Sequence, residues 1–212
     1  MTKIIAVAQL KGGVGKSTIT TNLVGTLAQT SRVALLDADL PQGTSSRWAK
    51  LRDDPAIEVV MAETANAMSA AVEMLEGKVD YIVIDLPPRT LKFVREMLAY
   101  ADLVLMPLTA SAADVWSTEE LVAVVNEVRK GNKRLRARLV WNRLRASRLT
   151  AEFLESTGKA LKTKELNSFL GQRNAYVEAL GRGLTVLEWS DPKARAEFEL
   201  FFQEVKEQIK LV

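Results

Sequence analysis

The chain has 212 residues, 48% of them apolar and 26% charged, with a formal charge of +3. It contains no Cys and no His, which excludes disulfides, thiolate nucleophiles, iron–sulfur clusters, zinc held by Cys or His, and imidazole acid–base catalysis. Any metal must be held by oxygen donors, which points to a hard ion such as Mg²⁺. No apolar run approaches the roughly 18–20 residues of a membrane span. The N-terminus lacks the apolar stretch and small-residue cleavage site of a signal peptide, so a cytoplasmic location is expected.

In chain order, short runs rich in Ile, Val and Leu predict strands over residues 3–9, 32–37, 57–62, 81–85, 103–108 and 137–142. They are nearly continuous rather than alternating, as strands buried on both faces of a parallel sheet are. Between them lie helical patterns at 16–29, 45–52, 63–76, 91–99 and 113–130. This alternation predicts an α/β fold, a doubly wound and mostly parallel sheet flanked by helices. The last third reads as helices at 149–161 and 174–180, with a possible short strand at 166–170 between them. A final helix begins at Asp191-Pro192, where Asp can cap and Pro suits the first turn, and runs to about residue 212. No linker or repeat interrupts the chain, so one domain over 1–212 is expected.

Ligands of such sheets bind at the carboxyl ends of the strands. The first strand ends in Leu10-Lys11-Gly12-Gly13-Val14-Gly15-Lys16-Ser17-Thr18, directly before a helix. Glycines let such a loop curl its N–H groups around phosphate oxygens, and the helix N-terminus adds partial positive charge. Lys16 would reach the β- and γ-phosphates, and the Ser17 hydroxyl would ligate Mg²⁺. Position 10 is Leu where the pattern G-x-x-x-x-G-K-[ST] has Gly, and Lys11 precedes a Gly-Gly pair instead. The second strand ends in Leu36-Asp37-Ala38-Asp39, and the fourth in Ile84-Asp85-Leu86-Pro87-Pro88. Asp85 stands where a Walker B aspartate belongs, as a Mg²⁺ ligand directly or through water. Strand-end aspartates also cap the loop or helix that follows them.

This loop resembles the deviant Walker A box, K-G-G-x-G-K-[ST], of the ParA/MinD family of P-loop ATPases, and the resemblance extends along most of the chain. It is closest to short ParA-type partition ATPases that lack an N-terminal helix-turn-helix domain. The resemblance implies ATP and Mg²⁺ as cofactors, with Lys11, Gly12, Gly13, Val14, Gly15, Lys16, Ser17 and Thr18 around the phosphates. It also implies that Lys11 reaches across an ATP-bound homodimer to the partner's phosphates. The acidic pair resembles the family's D-x-D motif, which gives Asp39 the attacking water and Asp37 a place in the metal shell with Ser17 and Asp85. Family members commonly read D-x-D-P-Q-G; here Leu40 stands as one extra residue before Pro41-Gln42-Gly43. Pro87-Pro88 matches a switch that senses the γ-phosphate. Asp114 matches a residue near the dimer interface, and equally suits a helix N-terminus. Asn142 resembles the family's adenine contact.

Nine Lys or Arg lie between Arg129 and Arg148, with no acid between Glu127 and Glu152. Sequence-independent DNA binding needs such phosphate neutralisation rather than base reading. The segment Gly171-Gln172-Arg173-Asn174 resembles the family's C-terminal signature, and with it Arg173, Arg143 and Arg145 become the expected DNA contacts. A ParB-like or cargo-adaptor protein that stimulates hydrolysis is the implied partner, and the implied location is the nucleoid. MinD-like relatives instead cycle on membranes through an amphipathic tail. Here the tail's polar face mixes Glu197, Glu199, Glu204 and Glu207 with Lys193, Arg195, Lys206 and Lys210, which fits docking on the protein body rather than an anionic surface.

Overall fold

The computed structural model describes residues 1–40, 42–88, 91–145 and 147–210. Pro41 and Val212, which figure in the expectations above, lie outside these residues, as does the side chain of Arg148. Six strands form one parallel sheet: β1 (Lys3–Val7), β2 (Val33–Asp37), β3 (Ile57–Met61), β4 (Tyr81–Asp85), β5 (Leu103–Leu108) and β6 (Arg136–Trp141), in the order β3-β2-β4-β1-β5-β6. The helices are α1 (Lys16–Leu27), α2 (Thr44–Arg52), α3 (Ala65–Leu75), α4 (Leu91–Leu98), α5 (Ala112–Val128), α6 (Arg148–Leu161), α7 (Asn174–Leu180) and α8 (Pro192–Lys210).

Alternate strand residues feed two cores. Ile4, Ala6, Ile82 and Ile84 pack under α3, α4 and α5 with Met68, Val94 and Leu121. Ile5, Val7, Leu35 and Val83 pack under α1, α2, α7 and α8 with Leu23, Trp48, Tyr176 and Phe198. This period of two, with both faces covered, is why the central runs read as unbroken apolar stretches. Two expectations are corrected. β3 is not buried on both faces: it is one of the sheet's two edge strands, and Glu58, Val59 and Met61 are exposed. The segment 166–170 is not a strand; it runs beside the β6 edge, with Leu166 N–H on the Leu139 carbonyl (3.0 Å) and Leu170 N–H on the Trp141 carbonyl (2.9 Å), flanked by isolated bridges.

The last helix docks as its sequence predicts. Asp191 Oδ1 accepts from the N–H groups of Lys193 and Ala194, both at 3.0 Å, which caps the first turn. Phe198, Phe201, Val205 and Ile209 are buried in the second core. Among the described residues, no helix is long and apolar enough to cross a membrane.

Candidate nucleotide site

Strand register assembles the site. Asp85 at the end of β4 pairs with Val7 of β1 on one side and Asp37 of β2 on the other. Three adjacent carboxyl ends therefore present the glycine loop and two carboxylates together, as open α/β sheets do at their ligand crevice. Gly13 and Gly15 take left-handed backbone at φ 79° and 95°, which disfavours other residues there. A Cβ on Gly15 would also lie 2.2 Å from Asn142 Nδ2. The first turn of α1 has no side-chain cap and no acidic residue, so its N–H groups remain available to an anion.

Lys16 is buried, and its ammonium lies 3.4 Å from the Lys11 carbonyl. Burial lowers its pKa, opposed by the charges of Asp85 and Asp39. Asp39 is half-buried, and burial raises its carboxyl, opposed by Lys16 and reinforced by Asp37. Asp85 is fully buried; Oδ2 accepts from the Ser45 hydroxyl, while Oδ1 has no hydrogen-bond partner among the described residues. Burial pushes Asp85 up to about 6, against the Ser45 and Ser17 hydroxyls and Lys16, which favour its charged form. A buried carboxylate oxygen left unpaired beside a serine hydroxyl and an ammonium fits a hard divalent cation with a phosphate chain.

The other expected residues are placed less uniformly. Asp37 is buried, with Oδ2 accepting from the Ser46 N–H (2.9 Å) and hydroxyl (2.8 Å) and Oδ1 from the Asp39 N–H (3.1 Å). It thus caps α2 from the strand end and fixes the backbone of Asp39, rather than presenting free oxygens to a metal shell. The turn containing Leu40 closes through the Gly43 N–H on the Asp39 carbonyl at 2.8 Å. Lys11 pairs with Asp114 on the first turn of α5; the lysine side chain is 42% exposed and the aspartate 1%. Asp114 also accepts from the Thr109 N–H (2.9 Å) and hydroxyl (2.7 Å). Burial would raise this carboxyl, but the bonds from Lys11, Thr109 and Ser111 hold it below its ordinary value.

Asn142 and Arg143, at the end of β6, both turn onto the phosphate loop. Asn142 Nδ2 donates to the Val14 carbonyl at 2.7 Å, and its Oδ1 accepts from the Arg143 N–H at 2.9 Å. Arg143 has a left-handed backbone (φ 55°) and donates to the Gly13 carbonyl at 2.6 Å. The amide expected on adenine and a cation expected on DNA thus brace the loop. Arg145 donates to Gln172 Oε1 at 3.0 Å and is exposed. Arg173 forms a two-pronged pair with Glu197, one prong at 2.8 Å, which raises its pKa and offsets its charge. Arg143 and Arg173 line a cleft of about 140 Å³ beside Thr18 and Tyr176.

Sequence reasoning missed Gln9, Ser45 and Ser46. Gln9 is buried where the loop begins; Nε2 donates to the Pro107 carbonyl (3.1 Å) and the Thr118 hydroxyl (2.8 Å), tying the loop to β5 and α5. Ser45 and Ser46 follow Gly43 at a helix start, a position where serines commonly act as local caps; their partners across the sheet carried no sequence signal.

A parallel sheet with a glycine loop between β1 and α1, a buried lysine in that loop and an aspartate at the end of the adjacent strand defines a P-loop nucleotide-binding protein. Residues 5–186 match the CobQ/CobB/MinD/ParA nucleotide binding domain, and the chain belongs to that family. It is similar to maintenance of carboxysome distribution protein A of Halothiobacillus neapolitanus, 29% identical over 87% of this chain and 86% of that protein. It is also similar to the sporulation initiation inhibitor protein Soj of Bacillus subtilis, 25% identical over 98% of both. Two solved structures share the fold. One is the ATP complex of a McdA variant from Cyanothece (TM-score 0.79, 20% identity, 99% of this chain and 96% of that one). The other is the MinD cell division protein of Aquifex aeolicus (TM-score 0.77, 18% identity, 97% of both chains).

Proposed function

We propose that residues 1–212 act as one ParA-type ATPase domain that positions a cargo on DNA. ATP closes two copies into a dimer, the dimer binds duplex DNA without sequence preference, and a cargo-bound partner protein of the ParB-like class stimulates hydrolysis and releases it. The protein would then act in the cytoplasm, on the nucleoid. The observation that carries this reading is the pair of lysines on one loop. Lys16 is buried near the charges of Asp85 and Asp39, whereas Lys11 pairs with Asp114 and keeps a part-exposed side chain that a second subunit could draw on. The name of one relative, maintenance of carboxysome distribution protein A, supports a positioning role.

The loop N–H groups and Lys16 would hold the phosphates, and Ser17 and Asp85 would hold Mg²⁺. When bound, Mg²⁺ neutralises charge on the phosphates and on the transferring group. Asp39 orients the attacking water, with its carboxylate favoured by Lys16. Phosphoryl transfer depends on positioning and electrostatics, so Asp39 needs no strongly basic carboxylate. Lys11 leaves Asp114 and adds a cation in trans, stabilising charge as it develops. Asp37 keeps Asp39 in place through its backbone. A membrane-cycling role draws no support from α8, whose apolar face is buried in the second core.

The test measures mass and DNA binding on the same samples, with ATP, ADP or no nucleotide, over a salt series. The reading expects dimers with ATP alone, bound to random-sequence duplex with affinity falling steeply as salt rises. ATP dimers that ignore DNA at low salt would overturn it.

A further inference from the structure

The basic run splits into two groups. Arg143 and Arg145 follow β6 at the phosphate-loop end, whereas the cations from Arg129 to Arg138 gather at the start of β6. Arg138, the last of the far group, and Arg143 are five residues apart along and just past β6, about 16 Å at roughly 3.3 Å per residue. The far end opens into a cleft of about 680 Å³, walled by the C-terminal turn after α5, the first residues of β6 and the turn after α6. Arg129, Lys133, Arg138, Lys162 and Lys164 line it, with Arg134 and Arg136 beside them, and none of its described lining residues is acidic.

Two of these cations are held in place. Arg138 is half-buried, donating to the Ala137 carbonyl at 2.8 Å and to Gln208. Arg129 donates through Nε to the Leu135 carbonyl at 3.0 Å. Burial lowers the pKa of Arg138, and the neighbouring charges of Arg136 and Arg129 lower it further. Arg134 reaches Asp102 only at 3.9 Å. Lys133, Lys162 and Lys164 are exposed around this anchored pair.

The spacing of charge selects the ligand. An extended acidic peptide turns alternate side chains to one face and so offers about one charge per 6–7 Å. Duplex DNA carries one per ~1.7 Å of axis, and guanidinium forks match phosphate geometry. We propose that this cleft is a second anion site that binds clustered phosphates, supplied either by a nucleic acid backbone or by a free polyphosphate. It is built within one chain and shares no lining residue with the small cleft beside the phosphate loop. Binding there requires neither ATP nor a dimer.

The test uses the full chain without nucleotide and two probes, a random-sequence duplex and tripolyphosphate, over a NaCl series. Wild type binds at least one of them. In the variant K133Q/K162Q/K164Q, the slope of log affinity against log salt for duplex falls by about 2.7, three cations at roughly 0.9 each. Its circular dichroism and ATP turnover stay unchanged, since all three lysines are exposed and outside the nucleotide site. Should the triple variant fold poorly, K133Q/K164Q is expected to lower the slope by about 1.8. Competition between the probes that the variant weakens, or binding of duplex alone with the reduced slope, supports the site and gives its source as the backbone. Saturable binding of tripolyphosphate alone, weakened in the variant, supports it and gives a free polyphosphate. An unchanged slope, no binding of either probe, or binding of polyglutamate with neither phosphate probe overturns it. ATP-dependent DNA binding that survives in the variant with an unchanged slope overturns this site while leaving the proposed function standing.

Discussion

Replacing Asp114 by Ala separates two roles that the structure combines in one side chain. The carboxylate is buried and accepts two bonds from Thr109 and one from Lys11. Bonds to a charged group contribute about 1.5–3 kcal/mol each, but Thr109 is half-buried, and water replaces part of what it loses. We expect Asp114→Ala to cost about 2–3 kcal/mol in total. The lysine's share is small, because its side chain is 42% exposed and solvent screens such pairs to about 1 kcal/mol or less. A double-mutant cycle of Lys11→Ala and Asp114→Ala, read by urea unfolding of nucleotide-free protein, should therefore give a coupling below about 1 kcal/mol. That is cheap enough for Lys11 to leave and act in trans. A coupling above about 2 kcal/mol would mean that the lysine is pinned, and would refute the reasoning. The pH dependence follows the same carboxyl. Its folded pKa lies below the ordinary 3.8, so its stabilisation is complete above 3.8 and is lost as pH falls through the lower folded value. The stability gap between wild type and Asp114→Asn should close over that acid range and stay constant at neutral pH.

Under the proposed function, which gives Asp39 the attacking water and not the nucleotide, Asp39→Asn should lower turnover by about 100-fold or more while leaving ATP affinity nearly intact; single-turnover kinetics with equilibrium binding would separate the two. Asn142→Ala removes the brace on the Val14 carbonyl and should weaken all nucleotides alike by roughly fivefold, about 1 kcal/mol. Selective loss of adenine over guanine nucleotides would instead make Asn142 a base contact. Gly15→Ala drives a methyl to 2.2 Å from the Asn142 amide, so it should destabilise more in wild type than in an Asn142→Ala background, as a thermal unfolding cycle would record. Phe198→Ala should cost about 3–5 kcal/mol, and a cost under 1 kcal/mol would contradict the docking of α8.

The local features were legible because their causes are local. Gly13 and Gly15 sit in a strand–loop–helix where left-handed backbone is required, and the helix begins at Lys16, as the motif predicts. Apolar runs marked the strands whose faces are covered, the edge strand β6 among them, and the same logic misread β3, whose exposure depends on strand order and on what packs over it. Asp191 and Pro192 marked the start of α8 through a cap that spans three residues.

Tertiary structure decided which of these residues meet. The register of β2 against β4 brings Asp37 beside Asp85, and packing of α2 then draws Asp37 onto Ser46 as a cap. The partners of Asn142 and Arg143 lie 128 and 130 residues away on the phosphate loop, and no periodicity in the chain encodes that approach. One basic run became two clusters because β6 carries its later cations to the phosphate-loop end of the sheet and leaves the earlier ones at the other. Composition, spacing and periodicity name the residue types and their faces, because backbone geometry repeats locally. Which charge neutralises which is fixed only when the sheet order and helix packing set the distances.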